Sequence, residues 1–343
     1  MSNPEKQSRL IELDAFRGIA ALSVVIFHYT THYDFLYKHS SPLAFGFPIG
    51  RYGVELFFMI SGYVIFLTLD KTKTPQEFVV SRFSRLYPVY WIAVLLTYAI
   101  TSFLLLPRYS VAFTDALINL SMFQELARVP DVDNVYWTLQ RELGFYLLTG
   151  ALFYSAARKY IVHIIAALIF ANIFISYFSL LDKIPGMWRI YSVLPIIQLH
   201  LFGLGIALYL LHRNRIMNWQ FYLMITLCLF SAGIAVDTTH SLIVALLFAC
   251  IFLATRIHPR ILRHPYLLFL GEISYPLYLI HNNVGSAAIY TLEKNGMSVF
   301  LSILLAILLV IILATAMNRL VEKPGLRWLR SRFKKKMEAP RCS

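Results

Sequence analysis

Long apolar stretches separated by short polar connectors fill this chain from end to end. A membrane-crossing helix needs about 20 mostly apolar residues. By that measure the pattern predicts ten crossings, over residues 15–34, 51–69, 86–106, 136–156, 161–180, 190–211, 218–236, 241–256, 266–290 and 298–318. The longest stretch outside them is 107–135, where LINLSMFQEL reads as a short interfacial helix. The opening residues, MSNPEKQSRLIELD, are polar and no small-residue cleavage site follows the first apolar run, so that run is expected to be a retained helix. No Gly/Ser linker, low-complexity run or visible repeat divides the chain. The expected organisation is therefore a single all-α, polytopic membrane domain over 1–343, with a core at 10–325 and a basic cytoplasmic tail at 326–343.

Composition strengthens this reading. Hydrophobic residues make up 58% of the 343 and charged residues 14%, against about 25% charged in soluble domains. The net charge of +13 raises the question of nucleic acid, and the positions of the charges answer it. An even number of crossings puts both termini on one side. With the termini in the cytoplasm, 22 of the 31 Lys and Arg residues fall on inner segments and 7 on outer ones, leaving Arg17 and Arg141 inside spans. That asymmetry is the positive-inside rule, so no nucleic-acid partner is needed. RWLRSRFKKK then reads as a tail touching anionic lipid. The three cysteines form neither a disulfide framework nor a zinc spacing.

Ionisable groups inside spans are costly, which makes each a functional candidate. FRGIAALSVVIFH, residues 16–28, carries Arg17 and His28 eleven positions apart. At about 100° and 1.5 Å per residue the two share one helix face and stand roughly 16 Å apart along the axis. Arg17 then lies near the cytoplasmic headgroups and His28 near or beyond the bilayer midplane. Singly they read as a snorkelling arginine and a buried, hydrogen-bonded histidine; together they favour a pathway. His32, one turn on, has a spacing open to metal. No acidic or cysteine partner falls at a diagnostic distance, so no metal is expected.

Four further stretches interrupt the apolar pattern. In GRYGVELFFMISGYVIF (50–66), Glu55 lies one turn into the second span and Ser61-Gly62 near its centre, where glycine admits close approach; Ser61 reads as a packing serine before a nucleophile. In SRFSRLYP (81–88), Arg82 and Arg85 are i, i+3 on a short helical stretch ending at Pro88. Two guanidiniums on one face suit a phosphate or diphosphate, with ordinary positive-inside charge the equal alternative. In YWTLQRELGFY (136–146), Glu142 lies inside the fourth span beside Arg141, and a buried carboxylate must be paired, protonated or used. In GEISYPLYLIH (271–281), Glu272, Ser274, Tyr275, Tyr278 and His281 punctuate the ninth span. VEKPG (321–325) reads as a Pro-Gly stop after the tenth span, with a carboxylate among cations.

Together these stretches resemble the acyltransferase-3 family of integral membrane acyltransferases, mostly bacterial enzymes that acylate surface and extracellular glycans. The resemblance covers residues 10–325 in order. It rests on LDAFRGIAALSVVIFH, GVELFFMISGY, SRFSRLYP, WTLQRELGFY and ISYPLYLIH; any one is weak, and five in sequence are specific. The family pattern has WSL where this chain has Trp137-Thr138-Leu139, a change that keeps the hydroxyl. The resemblance implies catalytic roles for His28 and Glu142, an acyl-CoA site with Arg17, Arg82, Arg85 and Ser61, and substrate contacts from Tyr275, Tyr278 and His281. It implies no permanently bound cofactor. Acyl-CoA, most simply acetyl-CoA, is the co-substrate, a carbohydrate the acceptor, and the bacterial inner membrane the location. Acyl-CoA is cytoplasmic and polyanionic, and a pantetheine arm is of the same order of length as the Arg17–His28 separation. Neutral His28 is then expected to act as general base on a sugar hydroxyl, with Glu142 orienting the imidazole. A transporter of small anions or lipid-linked sugars stays open, although no five-plus-five repeat is visible. Transfer of succinyl or longer chains to a non-glycan acceptor also stays open. A membrane scaffold leaves the Arg17–His28 geometry unexplained.

Overall fold

The computed structural model describes residues 10–43, 45–104 and 111–338, and every element in them is helical. Residues 105–110 of the outer segment, and the outermost residues of both termini, lie outside this description. The first helix, α1 (Ile11–Phe27), passes through one π-turn at His28–His32 into a short helix, Tyr33–Tyr37. It is followed by α2 (Gly53–Lys71), α3 (Pro75–Phe103), α4 (Trp137–Phe153), α5 (Ile161–Tyr177) and α6 (Leu199–His212). Then come α7 (Asn218–Ala235), α8 (Thr238–Ile257), α9 (Pro265–Lys294) and α10 (Val299–Met317). A second π-turn, Asn318–Glu322, leads into an amphipathic helix, α11 (Lys323–Glu338).

Six helices among the described residues are long and apolar enough to cross a membrane, those of α2, α3, α5, α7, α8 and α10 continuing into α11. The chain is an integral, all-α membrane protein. Of these six, α2 is the central one, with 56% of its apolar window buried against 22–39% for the others. The outer helices turn Phe170, Leu223, Leu242, Phe300 and Ile312 outward, as lipid-facing surfaces do. By contrast α1, α4 and α6 are 17, 17 and 14 residues long, and α9 is polar through its buried middle. A helix lining a polar interior exchanges apolar residues for working ones, as α1, α4 and α9 do, whereas α6 is apolar and is merely cut short by the break before Leu199.

The closest seams are α1 on α9, α2 on α6 and α9 on α10. Glycine makes two of them possible. A Cβ at Gly62 or Gly205 would overlap the facing backbone of α6 or α2, and one at Gly18 or Gly271 that of α9 or α1. These are backbone-to-backbone approaches that small residues permit in membranes.

Four local expectations are corrected. The stretch 190–211 is not one helix: Met187–Val193 ends, and α6 begins only at Leu199. Pro195 forces Leu194 out of the helical region, to φ −98° and ψ 131°, as a residue before proline requires. Carbonyls near the break find partners on α4, where Arg141 Nη1 donates to the Tyr191 and Ser192 carbonyls (2.7 and 2.6 Å) and Gln140 Nε2 to the latter (2.8 Å). The helix of SRFSRLYP does not stop at Pro88, because α3 runs through it. In a membrane the helix is the state that pairs its own backbone groups, so proline bends it more readily than it ends it. VEKPG is not a stop either. Pro324 sits in the first turn of α11, where its missing N–H is harmless, and the helix continues along α3.

The fourth correction concerns LINLSMFQEL, which is mostly turn; the helix there is Phe113–Asn119. Asn119 ends it by turning its side chain to the backbone, donating to the Asp115 and Pro130 carbonyls and accepting from Val132 N (3.0 Å). Downstream, Asp133 ties the segment between α3 and α4 to α9. Its carboxyl accepts from Asn282 Nδ2 (2.8 Å), Asn283 N (2.9 Å) and Val135 N (3.3 Å). Burial pushes the Asp133 carboxyl up to about 7, and that of Asp131 up to about 6.

Candidate active site

Helices α1, α2, α3, α4 and α9 converge on a cavity of about 90 Å³. Arg17 reaches it from α1, and Arg82 with Arg85 from one face of α3. Arg85 pairs with Glu322, a carboxylate brought in by the π-turn after α10. Arg82 lies over the Tyr146 ring at 5.8 Å and donates to Ser81 Oγ (3.1 Å), while its Nε is buried without a partner. Arg17 makes no hydrogen bond or ion pair among the described residues. Opposite the guanidiniums, Glu142 accepts from Ser61 Oγ (2.7 Å) and from the Tyr146 hydroxyl one turn along α4. Three guanidiniums thus face two carboxyl groups, one of them already engaged by Arg85. Unpaired cations in a small enclosed space suit an anionic ligand.

A second cavity, of about 340 Å³, is lined by His28, Glu55, His200, His240 and Arg51. His28 Nδ1 lies 3.1 Å from the Val24 carbonyl and 3.0 Å from His281 Nε2. His281 Nδ1 in turn lies 2.7 Å from the Tyr278 carbonyl. A carbonyl only accepts, so the network assigns a proton to Nδ1 of each ring. His28 therefore donates to His281, and its own Nε2 keeps a lone pair with no partner among the described residues. The seam is held from behind by Tyr29, which donates to the His281 carbonyl (2.8 Å) in a space that Gly285 leaves open.

The two cavities share a wall made of Val54, Phe58 and Tyr278. Thr138 Oγ1 donates to the Val135 carbonyl (2.8 Å), so it accepts from the Tyr278 hydroxyl (2.9 Å). The hydroxyl kept at the WTL position thus holds the tyrosine that separates the chambers.

The residues singled out in the sequence divide between these places. Arg17, Ser61, Arg82, Arg85, Glu142 and Tyr275 line the first cavity, His28 the second, and Tyr278 both. His281 lines neither and stands behind His28. Tyr275 donates to the Leu86 carbonyl (2.9 Å), with Arg85 over its ring at 5.7 Å. The partner of His28 is His281, and Glu142 is engaged with Ser61 and Tyr146 instead. Tyr146, Glu322, His200 and His240 complete the two chambers, and sequence reasoning gave none of them a role. His200 carries the signal already applied to His28, an ionisable side chain within an apolar run, whereas His240 follows Asp237-Thr238-Thr239 just before a predicted span and gives no such signal. Glu322 was visible as a carboxylate among cations, and Tyr146 as the i+4 neighbour of Glu142.

The family described as an acyltransferase domain, acyltransferase-3, matches residues 10–319. A protein of Acidianus two-tailed virus named as an acetyltransferase is 24% identical over 77% of this chain and 80% of its own length. An exopolysaccharide production protein of Rhizobium meliloti is 35% identical over 31% of this chain and 36% of its own length. A protein of the picA locus of Rhizobium radiobacter is 36% identical over 26% of this chain and 44% of its own. No solved structure matches.

Proposed function

Because the chain belongs to the acyltransferase-3 family, we propose that it moves an acetyl group from cytoplasmic acetyl-CoA to a hydroxyl of an extracytoplasmic glycan. The observation that carries this reading is the shared wall between a guanidinium-lined chamber and a chamber with an open histidine nitrogen. The names of the relatives, an acetyltransferase and an exopolysaccharide production protein, support the acyl group and the acceptor class.

In the proposed reaction Arg17, Arg82 and Arg85 bind the CoA phosphates, with charge-assisted bonds stronger than neutral ones. The acyl end reaches the Tyr278 wall. His28 Nε2 takes the proton of the acceptor hydroxyl, and the hydroxyl oxygen bonds to the acyl carbon. The carbon–sulfur bond then breaks and the CoA thiolate leaves with that proton, giving an ester and free CoA. His281 holds the His28 tautomer and accepts from the imidazolium as it forms, the part an acid partner plays in other triads. Glu142 holds Ser61 and Tyr146 against the donor side. The topology that serves this chemistry has ten crossings of a bacterial inner membrane with both termini in the cytoplasm, as the distribution of Lys and Arg favours.

Sidedness tests the proposal. Sealed inside-out vesicles given acetyl-labelled CoA on the outside should accumulate labelled glycan in the lumen, while CoA stays outside. A transporter would carry an intact solute and leave no covalent product. CoA accumulating in the lumen, or glycan that never becomes labelled there, rejects transfer across the membrane.

A further inference from the structure

The second chamber contains polar groups that the proton transfer does not use. His200 is 2% exposed, and neither of its ring nitrogens has a hydrogen-bond partner of good geometry among the described residues. Glu55 Oε2 is buried without a partner as well, and Glu55 Oε1 stands 4.0 Å from His240 Nδ1. All three side chains line the same cavity as His28, and so does Trp137. Buried polar atoms are ordinarily satisfied, so several unsatisfied ones on one cavity wall indicate a ligand that satisfies them.

We propose that Glu55, His200 and His240 form a hydroxyl-binding shelf that seats a neutral sugar ring with one hydroxyl presented to His28. This inference rests on the proposed acyl transfer and adds to it the residues that recognise the acceptor. Three features select the ligand class. A carboxylate and imidazoles offer acceptors and donors side by side, which a ring of hydroxyls matches, since every hydroxyl both donates and accepts. The Glu55 carboxyl disfavours an acidic group beside it, and Arg51, which lines the same cavity, adds donors that hydroxyls can also meet. The Trp137 indole, 36% exposed and packed at 6.3 Å from the Phe58 ring, gives the C–H face of a sugar an apolar wall. A cavity of about 340 Å³ falls within the range of roughly 300–1,000 Å³ of small-ligand sites. The shelf sits across the chamber wall from Arg17, Arg82 and Arg85, so donor and acceptor are recognised by separate residues.

The test uses the full-length protein in lipid nanodiscs. The probes are acetyl-labelled CoA and surface glycan stripped of its ester groups by alkali, taken from the cells that encode this protein. Glu55→Gln and His200→Phe should each raise the half-saturating glycan concentration about tenfold or more, while that for acetyl-CoA moves less than twofold. Glu55→Gln preserves size, so it keeps the test open should His200→Phe disturb folding. An unchanged glycan requirement, or donor and acceptor requirements rising together, overturns the shelf. Wild type that binds acetyl-CoA yet never labels the glycan overturns the transfer reading instead, and that result is visible before any variant is made.

Discussion

The two chambers share three residues and little else. The first holds about 90 Å³ and is lined by Arg17, Arg82 and Arg85; the second holds about 340 Å³ and is lined by His28 with an uncommitted carboxyl, two further histidines and Arg51. Small volume with concentrated positive charge favours an anionic group. Larger volume with mixed donors and acceptors favours a neutral ligand with many hydroxyls. α1 contributes Arg17 to the first, and the π-turn that continues it contributes His28 to the second. The contrast teaches that recognition by charge and recognition by hydrogen-bond pattern can sit back to back, separated by the thickness of a tyrosine. Under the proposed reaction, a change on one side of Tyr278 should leave binding on the other side intact.

The largest effect should come from His28→Ala. Loss of a general base lowers the rate by about two to four orders of magnitude. Acetyl-CoA affinity, measured by calorimetry on the same preparation, should stay within about twofold, since His28 does not line the first chamber. If affinity falls in step with the rate, the chambers are not functionally separate.

The arginines should show the converse. Arg17→Ala or Arg82→Ala should each weaken acetyl-CoA binding by roughly 10- to 150-fold, the loss of a charge-assisted bond of about 1.5–3 kcal/mol. Acetyl-pantetheine, which lacks the nucleotide and its phosphates, should bind wild type and variants alike. Equal losses for both ligands would point to a folding role. Arg85 needs a different design, because Arg85→Ala strands Glu322, which is 2% exposed, as an unpaired buried carboxylate. Adding Glu322→Gln should recover stability without recovering affinity.

A smaller effect is expected behind the histidine. His281→Phe removes the acceptor of the His28 Nδ1 proton but leaves the Val24 carbonyl in place. The turnover number should fall about five- to tenfold, the worth of a neutral hydrogen bond, with little change in the half-saturating concentration of either substrate. His281→Gln, whose side-chain oxygen can accept, should restore part of the rate. A merely structural role would not show that rescue.

What the sequence made legible follows from where its information lies. The helices were readable because lipid demands apolar length, and Arg17 with His28 because ionisable groups are rare there. Their common face followed from helical period alone. The failures came where one residue's effect depends on distant packing. Pro88 and Pro195 look alike in sequence, yet α3 runs through one and the chain breaks at the other. The partner of His28 lies 253 positions away, and only the α1–α9 seam reveals it. Glu322 reaches Arg85 through a π-turn that no apolar period announces. Glu142 invited pairing with the nearest mechanistic histidine, whereas the structure commits it to Ser61 and Tyr146.

The smallest effect concerns the wall of the second chamber, where Asn134 and Val135 adjoin Asp133. Burial raises the Asp133 carboxyl from 3.8 to about 7. Between those values the folded protein holds a proton that the unfolded chain has released. The sign follows from linkage: fewer protons bound in the unfolded state means that stability falls as pH rises. The contribution of Asp133 is therefore fully present below about pH 4 and is lost as pH climbs through about 7. Asp131, raised to about 6, acts in the same direction over a narrower window. The limiting slope for one group is about 1.4 kcal/mol per pH unit. Asp133→Asn keeps one oxygen to accept from Asn282 and the Val135 backbone, gives up the acceptor facing the Asn283 N–H, and has no proton to lose. Its thermal midpoint in detergent should therefore decline less than that of wild type between pH 5 and 7.5, with Asp131 accounting for part of what remains. Arg17→Ala, made in the first chamber, should leave the wild-type slope in place. A wild-type slope that survives Asp133→Asn unchanged would mean that other groups set the pH response, and that the second chamber is no more sensitive than the first.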